Sequence, residues 1–350
     1  MATGLKTVGA SAAAMRRLEG MLQIRRFEEQ VLRMGAAGAF PGHYHVYIGQ
    51  EPTAIAVCEM LLPEDLIFTT WRNHGHLLAR GASPDRLLAE ILGRATGLCR
   101  GKSGTLHLAS VELGVPATSA MVGGALPLAA GAALGLKQQR SRGIVVLFFG
   151  DAALDEGAAY EAMNLAALWR VPILFVCENN SIPPEKRKRG QFPSSSLSAA
   201  ELVDVPRALQ IPTEVTDGAD AQGLFDSFRR LTDEVRDSGA PRFVEVRCTR
   251  WPGNNMTWPE MIGGECRLDW AFGVRPELPE LAAWVEASDP VLLYLRKLVD
   301  SGEVSRDAVR AADERICERI AAAARFAESS PWPDAAEALA GVFAEATRHA

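Results

Sequence analysis

The sequence predicts an α/β fold, a mostly parallel sheet with helices on both faces and a helical C-terminal tail. Three observations carry this. Two short β-rich runs, Ile144-Val-Val-Leu-Phe-Phe149 and Pro172-Ile-Leu-Phe-Val-Cys177, flank a stretch of helical spacing from about Gly157 to Trp169. Strand, crossover helix, strand is the βαβ unit of a parallel pair. Both runs are apolar throughout, as strands covered on two faces are. A third run, Arg242-Phe-Val-Glu-Val-Arg-Cys248, follows a helical segment at about Ala221–Asp237, so helices suffice for both faces of the sheet.

The other elements follow in chain order. Residues 11–34 place Met15, Leu18, Leu22, Ile24, Phe27, Val31 and Leu32 among Arg and Glu, the spacing of an amphipathic helix. Gly35 to Gly49 carries glycines, a proline, His43 and His45, an ordered loop before a helix at about Pro52–Leu62. From Pro290 onward the spacing is helical, with a break at Ser301-Gly302. No internal repeat is evident. The expected division is a helical segment at 1–35, an α/β domain at 36–285 and a helical extension at 286–350.

Composition narrows the function. The 350 residues hold 43 Asp plus Glu against 37 Lys plus Arg, a net charge of −6, and 48% are hydrophobic. Such a chain can bury a large core, which rules out disorder. Mild acidity argues against a nucleic-acid binder. Six cysteines without a C-x-x-C pair suit a reducing compartment. No apolar stretch reaches the roughly 18 residues of a membrane span, and the N-terminus lacks a signal-peptide core. A soluble, cytoplasmic protein of small-molecule chemistry is expected.

The chemistry gathers where the strands end. The first run leads into Gly150-Asp151-Ala152-Ala153 and the second into Glu178-Asn179-Asn180. In a parallel sheet both junctions lie at the carboxyl edge, where doubly wound folds bind ligands. A carboxylate, an amide oxygen and a main-chain carbonyl are hard donors suited to Mg²⁺. Small residues after Asp151 let main-chain amides approach a diphosphate. The two junctions together predict a metal-diphosphate site. Asp151 could alternatively cap a helix, and Arg72 could be a surface ion pair. His74, His76 and His107 have a structural alternative as hydrogen-bonded histidines, and Asp155 and Glu156 one as acids of a first helical turn.

Further blocks are Gly49-Gln50-Glu51, Trp71-Arg-Asn-His-Gly-His76, Gly101-Lys-Ser-Gly-Thr-Leu-His107, Glu161-Ala-Met-Asn-Leu-Ala-Ala-Leu-Trp169 and Cys177-Glu-Asn-Asn180. With the segment from Gly150-Asp151 to Asn179-Asn180, which resembles a thiamine diphosphate motif, they run in order from about residue 16 to about residue 340. Together they resemble the alpha subunit of the thiamine-dependent decarboxylating component of 2-oxo acid dehydrogenases, of pyruvate or acetoin type. The resemblance implies a thiamine diphosphate-binding fold and thiamine diphosphate with Mg²⁺ as cofactors. It implies metal ligation by Asp151, Asn180 and the carbonyl of Ile182, and diphosphate contacts from Arg72, Gly150, Ala152 and Ala153. Trp71 takes a position usually held by tyrosine, and the main chain of Ala120 and Val122 matches positions that hold the aminopyrimidine. His45, His74 and Glu156 fall at catalytic positions, around the reacting carbon or the entrance to it.

The resemblance also implies partners. These are a beta subunit, in a heterotetramer of two alpha and two beta chains, a small 2-oxo acid, and a lipoyl-bearing acyltransferase as acyl acceptor. The loop after the third strand departs from the family pattern, because Pro252 and Asn254 replace two histidines in Arg250-Trp-Pro-Gly-Asn-Asn255, leaving Asn254 at a cofactor-binding position. Neither replacement exchanges a proton near neutral pH. Ala152 replaces a glycine, and a basic run at Lys186–Arg189 reads as a solvated loop or a docking patch. Trp251 and Trp258 suit a subunit face. Two rival readings follow, a carboligating or non-oxidative variant and a catalytically silent subunit. A nicotinamide enzyme lacks its G-x-G-x-x-G.

Overall fold

The computed structural model describes residues 2–181, 197–250 and 266–339, with side chains from residue 11 onward. Among these residues six strands form one sheet, β1 (Leu66–Thr70), β2 (Ala117–Ser119), β3 (Val145–Gly150), β4 (Ile173–Asn179), β5 (Thr213–Asp217) and β6 (Arg242–Arg247). Their order is β2-β1-β3-β4-β6-β5, and every neighbouring pair is parallel. The expected βαβ unit is present as β3, α6 (Gly157–Trp169) and β4. The α/β class with a parallel sheet is thus borne out. Three strands lie outside the runs read from sequence: β1, the three-residue β2, and the half-exposed edge strand β5.

Strand pleating sorts the apolar side chains onto two faces. Val146, Phe148, Leu174 and Val176 point to one, where they meet α1 (Ala2–Ala36), α2 (Glu51–Glu59), α8 (Ala221–Ser238) and α10 (Pro290–Asp300). Val145, Leu147, Phe149, Ile173 and Phe175 point to the other, against α5 (Ala125–Gln138) and α6. Each buried side chain of this size contributes about 1.5–3 kcal/mol, so the centre of the sheet is its most stable part. A third cluster packs Ile24, Phe27 and Val31 of α1 against the short α3 (His74–Ala79), α4 (Pro84–Ile91) and α11 (Arg306–Ser329). The helices α7 (Asp204–Ala208) and α9 (Pro279–Ala287) complete the described set. None of the described helices is long and apolar enough to cross a membrane.

Buried ion pairs tie α1 to distant parts of the chain. Arg25, 2% exposed, donates to Glu51 Oε1 at 2.6 Å and bidentately to Asp289 at 2.9 Å. Asp289 also caps α10 through the amides of Val291 and Leu292. Glu51 Oε2 accepts from the Gly49 amide at 2.9 Å. Gly49 has φ +94°, and a Cβ there would lie 2.5 Å from the Thr249 carbonyl oxygen, so only glycine fits. The segment entering α2 is therefore held from α1, α10 and the exit of β6 at once.

Candidate active site

Four neighbouring strands, β1, β3, β4 and β6, deliver their carboxyl ends to one cavity of about 340 Å³. Thr70, Trp71 and Arg72 leave β1; Gly150, Asp151, Ala152 and Ala153 leave β3; Glu178 and Asn180 close β4; Arg250 follows β6. His45 and Gln50 enter from the segment before α2, and Val122 and Gly123 from the one before α5. The register sets Gly150 opposite Glu178, so Asp151 and Asn180 emerge side by side from adjacent strands.

Local conformation explains the approach of these segments. Asp151, 2% exposed, opens a tight turn at Asp151–Asp155 that feeds α6. A Cβ on Gly150 would meet nothing within 4 Å, so the cavity wall is main chain at that point. Gly123 has φ +74°, and a Cβ there would lie 2.9 Å from Glu156 Cβ. A left-handed glycine is thus what brings Ala120–Gly124 against the start of α6.

The cavity is rich in positive charge. Arg72, 8% exposed, donates Nη1 to the Val46 carbonyl, and its backbone N–H reaches Thr70 Oγ1 at 3.2 Å. Burial pushes its pKa down to about 10, with Glu178 and Glu28 opposing. Burial and then the nearby Arg72 charge hold Arg250 well below the usual guanidinium range, and Asp151 opposes. Arg250 Nε is buried with no partner among the described residues. Neither arginine has a carboxylate within ion-pairing distance among those residues. His45, its ring 5.6 Å from that of Trp71, is lowered to about 4 by burial, then by Arg72 and Arg250. Its imidazole is therefore neutral at physiological pH.

A hydrogen-bonded file backs the cavity. The Tyr47 hydroxyl donates to Glu178 Oε1, and burial and then Glu178 raise its pKa well above the ordinary value, so it stays protonated. His76 Nε2 meets that hydroxyl at 3.0 Å and His76 Nδ1 meets Thr69 Oγ1 at 2.8 Å. The pattern assigns the His76 proton to Nε2.

The structure brings together His45, Trp71, Arg72, Val122, Gly150, Asp151, Ala152, Ala153 and Asn180. His74 does not line the cavity. It is fully buried, with Nδ1 3.0 Å from Glu28 Oε2 and Nε2 2.7 Å from Thr105 Oγ1. Glu156 is exposed at the N-cap of α6 beside Gly123, and Ala120 lies outside the lining, one residue beyond β2. Ile182, Asn254, Pro252, Trp251, Trp258 and the Lys186–Arg189 run fall outside the described residues. Sequence reasoning passed over Gln50, Thr70, Gly123, Glu178 and Arg250 as site residues. For Gln50, Glu178 and Arg250 the available signal was adjacency: each sits within a block that carries the resemblance or directly follows a strand run.

The family model for the dehydrogenase E1 component matches residues 19–336. The chain belongs to the dehydrogenase E1 component family. Similar proteins include the alpha subunit of acetoin:2,6-dichlorophenolindophenol oxidoreductase from Bacillus subtilis (strain 168), 33% identical over 324 residues, covering 92% of this chain and 91% of that one. The pyruvate dehydrogenase E1 alpha subunit of Zymomonas mobilis subsp. mobilis is 33% identical over 318 residues, covering 89% and 83% respectively. That of Rickettsia conorii is 29% identical over 323 residues, covering 92% and 93%.

Membership of the E1 family implies thiamine diphosphate. The residues present fit it. Two buried guanidinium groups without carboxylate partners among the described residues suit a diphosphate, and the open main chain at Gly150 leaves room for one. Asp151 and Asn180 both line the cavity and carry side-chain oxygens. Among the described residues no group of three His, Cys, Asp or Glu could hold a metal by itself, so a cation here would rely on amide, carbonyl and ligand oxygens.

Proposed function

We propose that this chain is the alpha subunit of a thiamine diphosphate- and Mg²⁺-dependent enzyme that decarboxylates a small, pyruvate-like 2-oxo acid and passes the acyl group to a lipoyl carrier. The observation that carries it is the meeting of Arg72 and Arg250 with Asp151 and Asn180 at the carboxyl edge of adjacent strands. The names of the relatives support the substrate class, and "subunit alpha" in those names supports a beta-subunit partner. That partner would assemble with this chain as two alpha and two beta chains.

When bound, thiamine diphosphate would supply a nucleophilic carbon and an electron sink for loss of carbon dioxide. The chain's own residues would do the rest. Arg72 and Arg250 bind the diphosphate, with the main chain of Gly150, Ala152 and Ala153 alongside. Asp151 and Asn180 give side-chain oxygens to Mg²⁺, and Ile182 its carbonyl. Trp71 and Asn254 contact the cofactor, and Ala120 and Val122 hold its aminopyrimidine by main chain. His45, neutral and lining the cavity, hydrogen-bonds a substrate oxygen. Glu156 acts from the rim. His74 acts from behind the wall, tying Glu28 to Thr105.

A second reading has its own support in Pro252 and Asn254, where proton-transferring histidines are expected. With those lost, the intermediate would be protonated or added to an aldehyde. One experiment separates the readings. The chain is co-expressed with candidate beta-type chains, and thiamine diphosphate with Mg²⁺ is titrated calorimetrically into the complex and into an Asp151→Ala control. Binding lost in the control is expected, and pyruvate then tells lipoyl-dependent acceptor reduction from a carboligation product. A folded complex that binds no thiamine diphosphate would leave a silent structural subunit.

A further inference from the structure

We propose that Gln50 is a positioning residue for the metal: it turns the Asn180 amide so that its oxygen faces the cavity, and it offers its own N–H to a phosphate oxygen there. The inference rests on the metal role proposed for Asn180.

Gln50 lines the cavity yet is fully buried. Its Oε1 accepts from Asn180 Nδ2 at 3.0 Å. A primary amide has one oxygen and one nitrogen, so committing Nδ2 to Gln50 leaves Asn180 Oδ1 as the atom free to meet a cation. The reverse arrangement would present an N–H to the metal. Gln50 is itself an amide, so the pair is set together: with its Nε2 given to an anionic oxygen in the cavity, its Oε1 is the atom left to hold Asn180 Nδ2.

The other end of Gln50 is unpartnered. Its Nε2 is buried with no hydrogen-bond partner among the described residues, an expensive state for an amide donor. It shares the cavity with Arg72 and Arg250, whose charges select an anion, and an anionic oxygen is the acceptor such a donor lacks. The backbone beneath it is rigid. Its N–H donates to the Tyr47 carbonyl at 3.1 Å, Glu51 ties the Gly49 amide to Arg25, and Gly49 packs on the Thr249 carbonyl. The position from which its amide reaches Asn180 is therefore fixed.

The test uses the full chain in complex with its beta-type partner. Mn²⁺ affinity is read by electron paramagnetic resonance at saturating thiamine diphosphate, and pyrophosphate affinity by calorimetry at saturating Mg²⁺. Gln50→Met keeps the size and removes both hydrogen bonds, so Mn²⁺ affinity falls by about tenfold or more, as it does when residues orienting metal ligands are lost. In an Asn180→Asp background the same change costs less than about threefold, because a carboxylate presents an oxygen either way round. Gln50→Glu keeps the acceptor but loses the donor. It holds Mn²⁺ affinity within about threefold while pyrophosphate binding weakens about tenfold.

Each outcome decides something. Equal Mn²⁺ affinity in wild type and Gln50→Met, or an equal loss with and without Asn180→Asp, overturns the inference and leaves the proposed function standing. A wild-type complex that binds no Mn²⁺ overturns both. Circular dichroism melts check each variant. If Gln50→Met does not fold, Gln50→Glu decides alone, since loss of both affinities or of neither is incompatible with the assigned roles.

Discussion

Arg25 and Arg72 are nearly equally buried, at 2% and 8% exposure, and their pKa values move in opposite directions. Burial acts on both to disfavour the charge. At Arg25 the carboxylates of Asp289 and then Glu51 outweigh it, and the pKa rises well above the ordinary value. At Arg72, Glu178 and Glu28 act only through space, and burial carries the pKa down to about 10. What separates the two regions is whether hydrogen-bonded carboxylates are built in. One arginine is a tie within the fold, and the other is the one we propose receives an anion from outside it.

The largest test of that difference is to remove each cation in turn. Arg25→Met strands Glu51 and Asp289 as buried charges, and breaking such a pair costs about 3–5 kcal/mol. Denaturant unfolding of the folded chain should show this loss, with most of it recovered when Glu51→Gln and Asp289→Asn are added. A loss under about 1 kcal/mol would show that water or relaxation satisfies the carboxylates, and the contrast would fail.

Arg72→Met should behave in the opposite way. It removes one of two mutually repelling buried cations, so stability without ligand should not fall. Pyrophosphate binding should weaken instead, because hydrogen bonds to charged groups contribute about 1.5–3 kcal/mol, roughly 10- to 150-fold in affinity. Thermal shift with added pyrophosphate reads both quantities in one experiment. An Arg72→Met chain destabilised as much as Arg25→Met would make Arg72 a structural tie as well.

The two regions also differ in how far they could be read from sequence. Asp151 and Asn180 were legible because a βαβ unit puts consecutive strand ends side by side, and the runs and helix that define the unit are local patterns. Strand β1 carries two threonines in five residues, β2 has only three residues, and β5 reads Thr-Glu-Val-Thr-Asp, with a single aliphatic residue. Their places in the sheet come from pairing with distant strands, which no local window shows. His74 stands two residues from Arg72, yet Glu28, from α1 and 46 residues away, holds its ring in the core. The Arg25 tie joins positions 264 residues apart, and nothing in the spacing of Arg25, Glu51 and Asp289 announces it.

His45 gives the smallest and most discriminating prediction, because its protonation reports the cavity's unbalanced charge. Its pKa in the folded chain is about 4, against 6.5 for an unperturbed histidine. Between those values the unfolded chain binds a proton that the folded chain refuses, so this group makes stability fall as pH is lowered from 6.5 to about 4, with no further loss below. His45→Gln should flatten that part of the pH profile. Burial is the leading cause of the shift and Arg72 the next, so Arg72→Met should move the pKa upward but stop short of 6.5. Pyrophosphate bound between Arg72 and Arg250 should move it in the same direction, by offsetting their charge without exposing the ring. Histidine NMR titration measures both shifts. A His45 pKa that answers to neither change would mean that burial alone sets it, and the positive field at the cavity would then be too weak to recruit a diphosphate.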